Sequence, residues 1–136
     1  MAAPPSCSDS ATRSRFAPLF ERRDARGQFT EILREGPWHT VVTGTMRSGA
    51  VMGNHYHKRT RIALYLMSGR AAIEIVHVKS GERRALEVRP GEGAFLETGE
   101  AHAIRFMADS QFLLLKSHPY SEDNADTFPW AVSESA

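Results

Sequence analysis

From residue 39 onward apolar side chains recur in short runs, many with every second position apolar, and polar turn clusters separate the runs. The runs are HTVVTGTM (39–46), AVMGNHYH (50–57), RIALYLM (61–67), RAAIEIVHV (70–78), RALEV (84–88), GAFLE (93–97), AHAIRFM (101–107) and QFLLLKS (111–117). The breaks at RSG, MSGR, KSGE, RPGEG and ETGE carry the glycine or proline that a tight reversal needs. Turns this frequent, with no sustained helical period, predict an all-β antiparallel sandwich or barrel. Helix is expected only near the ends, over PLFERRDA (18–25). The opening AAPPSCSDSATRS is small, polar and proline-bearing, so 1–15 is predicted to be a flexible tail, with order beginning near Phe16. The closing HPYSEDNADTFPW has two prolines and several acids and predicts an extended strap, 117–136, laid on the barrel. Residues 16–136 are thus expected to form a single domain that includes this strap.

Composition narrows the picture. A chain of 136 residues, 41% hydrophobic, suffices for one core and leaves little room for a second. The 17 Lys and Arg against 16 Asp and Glu are interspersed, so no basic stripe points to nucleic acid or a membrane surface. Cys7 is the lone cysteine, which rules out an internal disulfide and suits a reducing compartment. No apolar run approaches a bilayer span, and the first residues lack the apolar core of a secretory signal. These features predict a cytoplasmic protein.

The chemistry concentrates in GNHYHKRTR. Alternate side chains of a strand share a face, so His55 and His57 point one way and Tyr56 the other, with the imidazoles about 7 Å apart along the strand. Such a pair can meet at one metal ion or one substrate atom, or can be two hydrogen-bonded surface histidines. In AHAIRF, His102 shares a face with Ile104 and Phe106, and an apolar face belongs inside. An inward imidazole needs partners for its ring nitrogens; a metal with an outer acceptor is one solution, and backbone or water is another.

Gly49, five residues, then His55-x-His57 and Gly69 follow the spacing of the first cupin motif, apart from its glutamate. Gly91, Gly99 and His102 follow the second, apart from its proline and asparagine positions, which hold Glu97 and Phe106. Over 39–117 the sequence therefore resembles the cupin superfamily. DARGQFTEIL, GNHYH, the HVKSGE turn and DNADTFPWAV extend the likeness over 24–132, toward the C-terminal cupin domain of capsular-polysaccharide reductase-epimerases and stand-alone cupins of nucleotide-sugar biosynthesis. The resemblance implies a small antiparallel barrel, the double-stranded β-helix or jelly roll, in which His55, His57 and His102 converge on a divalent metal: zinc, iron or nickel. It also implies a homodimer, in line with RIALYLM, which is apolar on both faces.

The motif glutamate falls on Arg61 or Ile62, according to spacing, and neither can ligate. Three neutral imidazoles would leave the double charge of a metal uncompensated, favouring Lewis-acid chemistry and anionic ligands. Without a metal, His55 or His57 could itself act as a base. The resemblance implies an isomerase or epimerase working beside a carbonyl, on a nucleotide-linked or other anionic keto-sugar. Candidate proton carriers are Lys58 and Glu97, and Arg59 and Arg61 of the cationic turn are candidates for gripping the substrate's phosphate or carboxylate. A three-histidine non-haem iron dioxygenase and a non-catalytic cupin binding a small ligand are the alternatives.

Overall fold

The computed structural model describes residues 14–123 and 125–132. All eight expected runs form strands: β4 (Thr40–Met46), β5 (Val51–Tyr56), β6 (Ile62–Ser68), β7 (Ala71–His77), β8 (Arg83–Val88), β9 (Gly93–Leu96), β10 (Glu100–Phe106) and β11 (Ser110–Lys116). Preceding them are β1 (Arg15–Phe16), β2 (Phe20–Asp24) and β3 (Gly27–Glu31); following them is β12 (Phe128–Pro129). Every pairing is antiparallel, in two five-stranded sheets ordered β1-β9-β6-β11-β4 and β12-β5-β10-β7-β8, plus the β2-β3 hairpin. The fold is the all-β antiparallel barrel of the cupin type.

Alternation along the strands builds the core. Leu64 and Leu66 of β6, Ile73 and Ile75 of β7, Leu96 of β9, and Ile104 and Phe106 of β10 are all at most 2% exposed and fill the space between the sheets. Burying each such side chain contributes about 1.5–3 kcal/mol, so this shared interior is what holds the sheets together. Gly44 is the small partner that close packing demands: a Cβ there would lie 2.5 Å from the ring of Phe112.

The helix expected over 18–25 is not formed. Those residues make β2 and the turn into β3, because the Asp24 carboxylate accepts the Arg26 N–H at 2.9 Å and Gly27 takes φ 145°. A two-residue reversal leaves the charged positions of FERRD exposed on a ribbon, with no apolar stripe that a helix could bury. Of the tail expected over 1–15, residues 1–13 lie outside the described residues. Ser14 is buried under Arg84, and Arg15 pairs with Ala94 of β9 and bridges to Glu92 at 2.9 Å.

At the other end the chain runs extended along β5, Phe128 opposite Tyr56 and Pro129 opposite His55. Val132 then packs with Val76, Ala101 and Ala103 on the outer face of that sheet, a second apolar cluster. Among the described residues no helix is long and apolar enough to cross a membrane.

Candidate metal centre

Met52 and His55 both line the barrel interior, yet they stand three residues apart, which a regular strand forbids. The reconciliation is a bulge in β5. His102 pairs with His55 but the next residue, Ala103, pairs with Gly53, so Asn54 is the extra residue. Gly53 takes φ 108° and Asn54 φ 58°, the second being a left-handed conformation that asparagine tolerates better than most residues. The strap secures this kink: the Asn54 side-chain oxygen accepts the Val132 N–H and its backbone oxygen accepts the Trp130 N–H, each at 2.9 Å. Beyond the bulge alternation resumes, with His55 and His57 inward and Tyr56 outward, stacked on Phe128 at 5.4 Å.

His102 faces His55 across the ladder, and the three rings gather with centroids 4.9, 4.9 and 5.7 Å apart. One ligand atom from each lies within 4.8 Å of the others, a group that can hold a metal ion. His57 donates Nδ1–H to the Asp126 carbonyl at 2.6 Å, which fixes the ring and leaves Nε2 as its acceptor nitrogen. That Nε2 and the Nδ1 of His102 are buried without a hydrogen-bond partner among the described residues. Orphaned buried nitrogens are costly, and a bound cation satisfies them. Burial, followed by the charges of His57 and Lys116, pushes the pKa of His55 down to about 4. Burial, then His55 and His57, pushes His102 down to about 3 against a hydrogen bond to the Glu100 backbone. Both are therefore neutral near pH 7, the form a metal requires. The donor set fits a divalent ion that accepts imidazole nitrogen, such as zinc, iron or nickel.

The trio sits in an inner cavity of about 160 Å³ walled by Met52, Ile62, Leu96, Ile104 and Leu114. A second cavity of about 220 Å³ adjoins it at the mouth, sharing His57, Lys116 and Thr127, and adding Arg59, His118 and Tyr120. Together they suit a ligand with a small buried end and a larger end at the mouth.

Of the residues singled out from sequence, the histidines come together and Arg59 lines the mouth. Lys58, Arg61 and Glu97 are not brought to the inner cavity, for a reason of parity. Ile62 and Leu96 point inward, so their neighbours Arg61 and Glu97 point out, where they form a two-pronged ion pair at 2.7 and 3.0 Å. Arg61 also lies over the rings of Phe95 and Trp38, at 4.5 and 5.4 Å. Lys58 sits over Phe128, 4.4 Å from its ring centre.

Two residues absent from the sequence-based expectation belong to the site. Lys116 lines both cavities, and the alternation Phe112, Leu114, Lys116 in β11 was the available signal. Asp126 accepts the backbone N–H groups of Lys58, Arg59 and Thr60 at 2.9, 2.9 and 2.7 Å and the Thr60 hydroxyl at 2.9 Å. Its partial burial works to raise its pKa, but these four donors outweigh that and hold it at about 2. No local pattern marks it.

Residues 22–128 match the family described as the polysaccharide biosynthesis C-terminal domain. The chain belongs to that family. Comparison with curated protein sequences finds no match. Among solved structures, this member of the family resembles the capsular polysaccharide assembling protein CapF from Staphylococcus aureus, with 24% identity and a TM-score of 0.66, over 85% of this chain and 35% of that one. The chain thus spans about a third of the length of CapF. It also resembles dTDP-4-dehydrorhamnose 3,5-epimerase from Sulfolobus tokodaii, with 21% identity, TM-score 0.67, and 80% and 78% of the two chains covered. A third likeness is to the QdtA 3,4-ketoisomerase from Thermoanaerobacterium thermosaccharolyticum in complex with TDP, with 22% identity, TM-score 0.67, and 83% and 84% covered.

Proposed function

We propose that the protein is a metal-dependent isomerase or epimerase that moves a proton on a carbon beside a carbonyl, on a nucleotide-linked or other anionic keto-sugar. The observation that carries this is the convergence of His55, His57 and His102 at the base of an apolar cavity, with two of their nitrogens buried and unpartnered. The solved structures of like fold include a 3,5-epimerase of a dTDP-linked keto-sugar and a 3,4-ketoisomerase bound to TDP, which supports the same class of substrate. A divalent ion on the three imidazoles would supply a Lewis acid for the carbonyl oxygen, where negative charge develops once the adjacent proton leaves.

The chain's own residues supply the rest. Met52, Ile62, Leu96, Ile104 and Leu114 exclude water around the reacting carbons. Arg59 and His118 line the mouth, and there they would meet phosphate oxygens outside the inner cavity. Lys58 and Glu97 would serve as proton carriers only after leaving Phe128 and Arg61, their partners here.

The test is solvent exchange. Metal-loaded protein in deuterated water with a nucleotide-linked keto-sugar should give substrate heavier by one mass unit or more, and His57→Ala should lose both the exchange and the bound metal while remaining folded. A sugar that stays unlabelled under those conditions refutes the assignment. The all-imidazole donor set also supports a second reading, an iron dioxygenase, for which iron in the purified protein and oxygen uptake would be the signature.

A further inference from the structure

Ile62 stands where a cupin motif of the longer spacing has its glutamate, and in the ladder it pairs directly with Lys116 of β11. The motif position that would have set a carboxylate beside that residue is therefore aliphatic. Lys116 lines both the inner cavity and the mouth, and no Asp or Glu among the described residues forms an ion pair with its ammonium. No acid lines the inner cavity among the described residues. Asp126 borders the mouth, but its two carboxylate oxygens are engaged by the four donors of the 58–60 turn.

An ammonium among aliphatic walls, in a cavity that no carboxylate lines, is poorly compensated, and a divalent ion would add two more positive charges to the same space. Such a cavity selects for anionic oxygen. We propose that the inner cavity is a binding site for a small carboxylate or comparable oxyanion, held on one side by Lys116 and on the other by the three-histidine centre. The inference rests on that centre being a ligand site, as proposed above, and adds the charge of the ligand part that enters it. At about 160 Å³ the cavity admits only a few heavy atoms, so the anion is the end of the substrate that reacts and any nucleotide stays at the mouth. Lys116 is accordingly a specificity-determining residue, the counterpart of the carboxylate that position 62 does not supply.

Oxalate is the probe. Calorimetric titration of oxalate is carried out on the full chain, stripped with chelator and again after zinc loading, for the parent protein, Lys116→Gln and Lys116→Arg. Melting temperature establishes that each variant is folded. The parent should bind oxalate, Lys116→Gln should weaken binding at least tenfold in whichever form binds it, and Lys116→Arg should stay within threefold of the parent. Equal oxalate affinity in the parent and Lys116→Gln overturns the proposal, as does a parent that binds oxalate in neither form. If no zinc loads, the stripped protein alone decides by the same criterion. No keto-sugar and no turnover enter these measurements, so a failure of deuterium exchange leaves their outcome standing, and the reverse holds too.

Discussion

At the scale of single residues, the centre depends on Gly53 as much as on its ligands. A Cβ at that position would lie 2.4 Å from the His102 carbonyl oxygen, and the φ of 108° is one that L side chains rarely adopt. Gly53→Ala should therefore cost at least about 2 kcal/mol of stability, from backbone strain added to a clash against backbone that cannot move aside. It should also spread the His55 and His102 rings. Chemical denaturation and zinc titration on the same variant check both expectations, and an unchanged zinc affinity would show that the bulge does not position the ligands. The pair Gly53-Asn54 hints at irregularity in the sequence, yet only the mismatch in ladder register shows that the kink turns His55 inward. Two histidines with one residue between them suggested a shared face, and the bulge lies just outside that pair and leaves it intact.

Among the elements, the strap and the 58–60 turn behave as one unit because Asp126 bonds the turn through its carboxylate and His57 through its carbonyl. Asp126→Asn keeps the shape and removes the charge. It should lower stability by about 1–2 kcal/mol, seen by thermal melts, while the backbone carbonyl that orients His57 is retained. The sign of the pH effect follows from the depressed pKa. The unfolded carboxylate takes its proton near 3.8 and the folded one near 2, so the contribution is complete above pH 4 and is lost as pH falls from about 4 to 2. Acid unfolding of the asparagine variant should lack that part of the slope. The eight central strands were legible because period-two alternation and glycine turns are local signals, and the same locality explains the failures. Positions 18–25 carry charge without a buried face, so nothing in FERRD distinguishes ribbon from helix until Asp24 and Gly27 close the turn. Asp126 meets His57 across 69 residues of chain, a contact set by the path of the strap. Lys116 does carry a local signal, since Phe112 and Leu114 share its parity, but it belongs to neither spacing motif.

For the molecule as a whole, the sheet β1-β9-β6-β11-β4 has a second, outward face that is also apolar. Across four strands Val41, Leu115, Ala63 and Phe95 line up in register, with Thr43, Leu113 and Tyr65 in the next row. Val41 is 64% exposed and Met67 50%. A face of this kind suits a second copy of the chain, and we propose a homodimer formed through it. Val41→Lys combined with Met67→Lys should convert a dimer to a monomer in sedimentation experiments with little change in melting of the isolated barrel. A parent protein that is already monomeric at high micromolar concentration would exclude the assembly.

The hold of Asp126 on His57 bears on how the protein can be cut down. A fragment trimmed to the strands that carry the two spacing motifs would retain all three imidazoles and most of the interior. It would nonetheless lose the carbonyl that orients one ring and the carboxylate that shapes the loop beneath it. Such a fragment could fold and still be a poor trap for an ion.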